Sequence, residues 1–198
     1  MKELNRRAIA IFGPEHTGTK ALLNLLIDGF GATGKKHNCG HELVTERSEL
    51  YAFKYSVPSG HQGEGPWPSP KKILQDVMLH NYQDIRVLIP VRDYWCLYNS
   101  HCWNPKNVAS GHEQRRRRNF DMVIAQGYRN IINDVQEAGV PFYFTSYESM
   151  VTDPQRFLFG LSQTLELPVL STGVKVFDGN EQYSKLVRME TAMKREEK

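Results

Sequence analysis

The chain has 198 residues, 40% of them hydrophobic and 11% aromatic, which suits a single domain spanning 1–198 with a sizeable core. Its net charge is +3, and the run Arg115–Arg118 supplies four of the positive charges, so the basicity is local and points to one anionic contact, not to a nucleic-acid surface. Three cysteines, Cys39, Cys96 and Cys102, argue against a disulfide framework. With no signal peptide or transmembrane-length run visible, the chain reads as a soluble cytoplasmic protein without a membrane segment.

The first element is the one that organises the rest. Ala8–Phe12 is a continuous apolar run that reads as a buried strand, and Gly13 breaks it. Pro14–Thr17 makes a tight polar loop. Gly18, Thr19 and Lys20 then open a helix carrying Leu22, Leu23, Leu25 and Leu26. Strand, glycine-bounded loop and helix start together predict an anion cradle, because backbone N–H groups converge there and the helix dipole adds positive potential. The spacing is Gly13-x4-Gly18, but Lys20 falls one place later than in nucleoside triphosphatases, and Ala21 follows it where those proteins have a hydroxyl for magnesium. The loop therefore predicts binding of a phosphate group without a bound metal.

Gly29, Gly31 and Gly34 mark a loose connection, followed by His37, Cys39 and His41, whose alternation is that of a metal-ligating segment or of a plain surface loop. Glu49–Val57 alternates loosely and is aromatic, as a strand would be. Ser59–Pro70, rich in Gly and Pro, holds His61, Glu64 and Trp67 and has the character of a loop shaping a binding mouth. Ser69 and Pro70 then supply an N-cap and a first-turn proline for a helix running to about Tyr82.

Ile85–Val91 is the second strongly apolar strand, with Pro90 expected near its end. Tyr94–Trp103 reads as a helix. Phe120, Val123, Ile124, Tyr128, Ile131, Ile132 and Val135 then form the longest helical stripe, closed by Gly139. Pro141–Thr145 is a further strand. Asp153 and Pro154 open a helix carrying Phe157, Leu158, Leu161 and Leu165, stopped by Pro168, and a charged helical tail is expected from Glu181. Strands alternating with helices predict an α/β fold, a three-layer parallel sheet with helices on both faces, of the kind that binds nucleotides at a phosphate loop. Ligands in such sheets sit beyond the carboxyl ends of the strands, where the segments after Phe12, Val57 and Val91 would meet.

The segment after Val91 begins Arg92-Asp-Tyr-Trp and reaches Ser100 two helical turns later, so a guanidinium and a hydroxyl are placed to hold a second phosphate. With these pieces in order, the chain resembles the sulfotransferases that use 3′-phosphoadenosine 5′-phosphosulfate (PAPS). GPEHTGTKALLNLL is similar to their 5′-phosphosulfate loop, above all in its carbohydrate-sulfotransferase form. VRDYWCLYNS is similar to their 3′-phosphate motif. PFYFTSYESMVTDPQRFLFGLSQTLELP resembles their strand–Tyr-Glu–Asp-Pro–helix segment, and FKYSVP the Lys-Thr-His-Leu-Pro stretch of cytosolic members.

The resemblance implies that Pro14, Glu15, His16, Thr17, Gly18, Thr19 and Lys20 hold the 5′-phosphosulfate, with Thr19 bonded to the 5′-phosphate. It implies that Arg92 and Ser100 hold the 3′-phosphate, that Tyr147 lies near the adenine, and that Lys54 faces the sulfonate. His16 stands where the family has its loop lysine, and Ser56 where cytosolic members have their catalytic histidine. The Arg-Lys-Gly clamp of the family has no clear counterpart, Lys185, Arg188 or Arg115–Arg118 being substitutes. The expected activity is sulfuryl transfer from PAPS, leaving PAP, to a hydroxyl or amine of a small molecule or glycan, with no metal required. His61 is the first candidate base, with Glu42, Glu46 and Glu64 as alternatives, and His16 the partner of the leaving oxygen. Trp67, Tyr94, Trp95 and Trp103 are candidates for an acceptor pocket. The competing expectations are a Mg-dependent phosphate-loop kinase and a catalytically silent nucleotide-binding relative.

Overall fold

A computed structural model describes residues 6–34, 48–57, 68–102 and 120–181. Four strands, β1 (Arg7–Pro14), β2 (Leu50–Val57), β3 (Asp84–Val91) and β4 (Phe142–Ser146), form one all-parallel sheet in the order β2-β1-β3-β4. The register runs Ile9 to Ala52 and Arg86 on either side of β1, and Leu88 to Tyr143 across β3 and β4. The fold is thus α/β, and the strand that feeds the glycine loop lies in the interior of the sheet.

Among the described residues six helices accompany the strands: α1 (Thr19–Phe30), α2 (Pro70–Leu79), α3 (Tyr94–Cys102), α4 (Phe120–Glu137), α5 (Tyr147–Thr152) and α6 (Pro154–Leu165). Alternation along β1 sorts its side chains to two cores. Ala8, Ala10 and Phe12 face Ile73, Leu74 and Val77 of α2 and Ile131 and Val135 of α4. Ile9 and Ile11 face Leu22, Leu23, Leu25 and Leu26 of α1, Met150 of α5 and Leu158 of α6. β1 is covered on both faces, which explains why its sequence is a continuous apolar run. Burial of each α1 leucine is worth about 1.5–3 kcal/mol, and this holds the helix start against the strand end. At the opposite end of the sheet, Asp84 bridges Arg7 and Arg86 at 2.5 and 3.1 Å, and Arg86 Nη1 donates to the Thr164 carbonyl at 2.8 Å, tying β1 and β3 to α6.

Several boundaries differ from the sequence expectation. Gly13 does not end β1, because Gly13 and Pro14 stay in register with Ser56 and Val57 of β2. α2 stops at Leu79, because Asn81 takes φ +62° and Tyr82 turns into the core beside Tyr51. α6 ends at Leu165, three residues before Pro168, because Glu166 adopts a left-handed cap at φ +53°. A six-residue helix, α5, follows β4 without a gap: Ser146 ends the strand and its hydroxyl also caps the helix, accepting from Ser149 N. Among the described residues no helix is long and apolar enough to cross a membrane.

Candidate functional site

The loop between β1 and α1 is fixed by its own short contacts. Thr17, fully buried, donates its hydroxyl to the Pro14 carbonyl at 2.7 Å. His16 takes φ +68° and Gly18 φ +97°, so the chain doubles back before Thr19 enters the helix. Gly18 has a second reason to lack a side chain, since a Cβ there would collide with the Tyr147 ring, 3.0 Å from Cε2. Pro14 in turn packs on α4, where a Cβ on Gly127 would stand 3.3 Å from its Cγ. The helices α2, α5 and α6 are capped by the side chains of Ser69, Ser146 and Asp153, whereas Gly18 gives α1 no side-chain cap. The positive end of the α1 dipole therefore faces the loop.

The residues after β3 come directly to this loop. Arg92 Nη1 donates to the His16 carbonyl at 2.8 Å, and Ser100 Oγ lies 3.1 Å from His16 Nδ1, the tautomer of the imidazole deciding which donates. Ser100 is 4% exposed and reaches inward from α3, whose start is capped by Asp93 Oδ1 accepting from Cys96 N at 2.8 Å. The guanidinium also lies over the Tyr147 ring, 4.5 Å from its centroid. Tyr147 is thereby wedged between Gly18 and Arg92 at 4% exposure, its face given to protein groups. Burial pushes its phenol upward, against the opposing pull of the Gly179 N–H and Arg92, so it is a neutral donor at ordinary pH.

Thr19 Oγ1 meets Ser56 Oγ of β2 at 3.4 Å. Lys54, two residues earlier on the same face of β2, is 7% exposed, while Lys20 projects to the surface on the first turn of α1. Next to Arg92, Tyr94 and Trp95 form an exposed edge-to-face pair with centroids 5.1 Å apart, and Tyr94 and Tyr98 contact Phe120 of α4. The structure thus brings Pro14 to Lys20, Arg92, Ser100 and Tyr147 into one neighbourhood and sets Lys54 and Ser56 along its β2 side. His61, Glu64, Trp67, Glu42, Glu46, His37, Cys39, His41, Trp103, the Arg115–Arg118 run, Lys185 and Arg188 lie outside the described residues.

Two features were absent from the sequence reading. Residues 167–181 form a strap that returns from α6 across the C-terminal end of α1, where Leu170 N and Ser171 N both donate to the Gly29 carbonyl. It ends at the site: Tyr147 Oη donates to Phe177 O at 3.2 Å, Gly179 N donates to Tyr147 Oη at 2.8 Å, and Arg92 Nε donates to Asn180 Oδ1 at 2.6 Å. The turn signal Asp178-Gly179-Asn180 was the available clue. The second feature is an open groove of about 1000 Å³ between the outer edge of β4 and helices α5 and α6, lined by Phe142, Phe144, Asp153, Arg156 and Phe157 among others. It shares Ser146 and Glu148 with the region behind Arg92 but does not include the loop.

The sequence matches no protein-family model and no curated protein.

Proposed function

We propose that the chain is a PAPS-dependent sulfotransferase of the phosphate-loop type, acting on a hydroxyl or amine of a small molecule or glycan. One observation carries the reading: Arg92 and Ser100, 76 and 84 residues from His16, both bond to it, in the loop that opens a helix without a side-chain cap. The start of α1 and the Arg92–Ser100 pair are thereby neighbours, which supports a ligand carrying a phosphate at each end of one nucleoside.

In this reading the loop amides and Thr19 hold the 5′-phosphosulfate, and Arg92 with Ser100 holds the 3′-phosphate. The donor supplies an activated sulfuryl group, which an acceptor oxygen or nitrogen attacks in line while the bond to the 5′-phosphate breaks. His16 and Lys54 are the cationic candidates at the leaving oxygen and the sulfonate. Ser100 holds the His16 ring in place through Nδ1. His61 remains the candidate base that takes the acceptor proton. Lys20 followed by Ala21 offers magnesium no hydroxyl, which weighs against a kinase.

The test is a thermal-shift series with PAP, ATP and ADP, each in EDTA and in excess Mg²⁺. PAP is expected to raise the melting temperature in EDTA, and Arg92→Ala to weaken PAP binding by about tenfold to a hundredfold. Stabilisation by ATP only with Mg²⁺ would favour a kinase instead. PAP binding without transfer to any acceptor in a broad panel would indicate a silent relative.

A further inference from the structure

β4 is an edge of the sheet, and its outer side is open. The Pro141 carbonyl accepts from Val87 N at 2.9 Å, so in the parallel ladder Tyr143 and Thr145 also turn their backbone groups to β3. The N–H and C=O of Phe142 and Phe144 point the other way, into the groove that runs the length of the strand. Among the described residues no backbone group bonds to either of them from outside the sheet. The opposite edge differs. Thr33 lies along β2, its N–H donating to the Leu50 carbonyl and its carbonyl accepting from Ala52 N, both at 2.9 Å, and Lys54 interrupts the apolar strand. β4 reads Phe-Tyr-Phe-Thr-Ser in unbroken register with β3, without the lysine, proline or bulge that keeps an edge from pairing. Phe144 is 54% exposed and stands edge-to-face with Phe142, 5.9 Å between centroids, on the α4 side of the sheet.

We infer that this edge pairs with the same edge of a second copy of the chain, antiparallel about a two-fold axis at Phe144, so that two four-stranded sheets become one. The strand is self-complementary about its middle residue. Phe144 meets Phe144 of the second copy as a hydrogen-bonded pair, and Phe142 of each chain pairs with Ser146 of the other. Both Phe144 rings then stand on one face as a cross-strand aromatic pair. Charge favours a second copy over a foreign strand. α6 runs from the carboxyl end of β4 back to the far end of the sheet, where Arg7 and Arg86 bond to the Leu165 and Thr164 carbonyls. A two-fold axis normal to the sheet keeps both α6 helices on one face and sets them antiparallel. The start of each, with the exposed Arg156, then faces the end of the other, where the dipole is negative and Glu166 has a side chain 74% exposed. Five-residue strands are short for a stable interface, and the grooves supply the remainder by merging over the junction between Phe157 and Leu161 of both copies. This assembly is independent of the catalytic reading.

Sedimentation equilibrium of the full chain, from about 1 to 100 μM, is the test, and a monomer–dimer equilibrium is expected. Phe144→Lys and Phe144→Glu each set like charges opposite one another across the axis, so each alone should raise the dimer dissociation constant at least about tenfold. An equimolar mixture of the two variants should dimerise again, because Lys then faces Glu. That rescue is the signature of residue 144 meeting itself, and loss of packing alone would not produce it. A wild-type chain that stays monomeric, leaving the edge to a foreign strand or to none, overturns the inference. So does a dimer that neither substitution weakens, a wild type that forms open-ended aggregates, or a mixture that stays monomeric. Urea midpoints of both variants close to wild type are expected, since the ring is half exposed. Should the Phe144 variants not fold, Arg156→Glu on the exposed start of α6 is expected to weaken the dimer about threefold to tenfold, and an unchanged dissociation constant refutes the arrangement.

Discussion

Replacing Gly18 by alanine tests the geometry at its tightest point. Two costs add. The residue sits at φ +97°, a conformation in which an L side chain is strained by about 1–2 kcal/mol. The new methyl would also overlap the Tyr147 ring, which is 4% exposed and backed by the Arg92 guanidinium, so it has little room to retreat. Overpacking of this kind costs about 1–3 kcal/mol. Gly18→Ala should therefore lower unfolding stability by about 2–5 kcal/mol, read as a shift in urea midpoint at unchanged slope. The two costs separate in a double-mutant cycle with Tyr147→Ala: the clash vanishes and the backbone strain stays, leaving a coupling of about 1–3 kcal/mol. A Gly18→Ala protein within about 0.5 kcal/mol of wild type, or a coupling near zero, would show that the ring does not sit against the loop.

Two further outcomes follow from local chemistry. Burial, with the Asp93 carboxylate and its hydrogen bond beside it, pushes the Cys96 thiol from 9.0 to about 11. At pH 8 only about one part in a thousand is thiolate, so iodoacetamide should label Cys96 at least about a hundredfold more slowly in the native than in the unfolded protein, as peptide mapping would reveal. The linked sign is that the native thiol keeps its proton between about pH 9 and 11 while the unfolded one has lost it, so this group's contribution to stability falls as pH rises through that window. Rapid labelling at pH 8 would contradict the burial. Asp153→Ala removes the side-chain cap of α6, where Oδ1 accepts from Arg156 N at 3.0 Å, and should cost about 1 kcal/mol in chemical denaturation, with Asp153→Asn close to wild type.

The fold was legible where burial dictates composition. β1 and β3 carry apolar side chains on both faces, so their runs stand out without any period, and Ser69-Pro70 and Asp153-Pro154 announce their helices by cap chemistry. What escaped was decided by single backbone conformations or by elements with no gap between them. Asn81 at φ +62° ends α2 early, and α5 hides because Ser146 serves both strand and helix. The proposal that the loop and Arg92 bind anions comes from residue type and spacing. Their convergence followed from the parallel α/β pattern, but the particular bonds of Arg92 and Ser100 to His16 did not, since those depend on β3 lying directly beside β1. Asn180 was the least legible of all, an ordinary turn residue by sequence whose partners, Arg92 and Glu148, are 88 and 32 residues away.

The strap has a bearing on how the protein comes into being. Groups at residues 14–20, 92–100 and 177–180 must all be present before the neighbourhood is complete, and the last of them closes the gap between Tyr147 and Arg92. During synthesis the sheet can assemble once residue 146 has emerged, yet a chain of that length would carry Arg92 without its bridge to Glu148. The order of synthesis therefore places the sheet ahead of the contacts that Gly179 and Asn180 make with Tyr147 and Arg92.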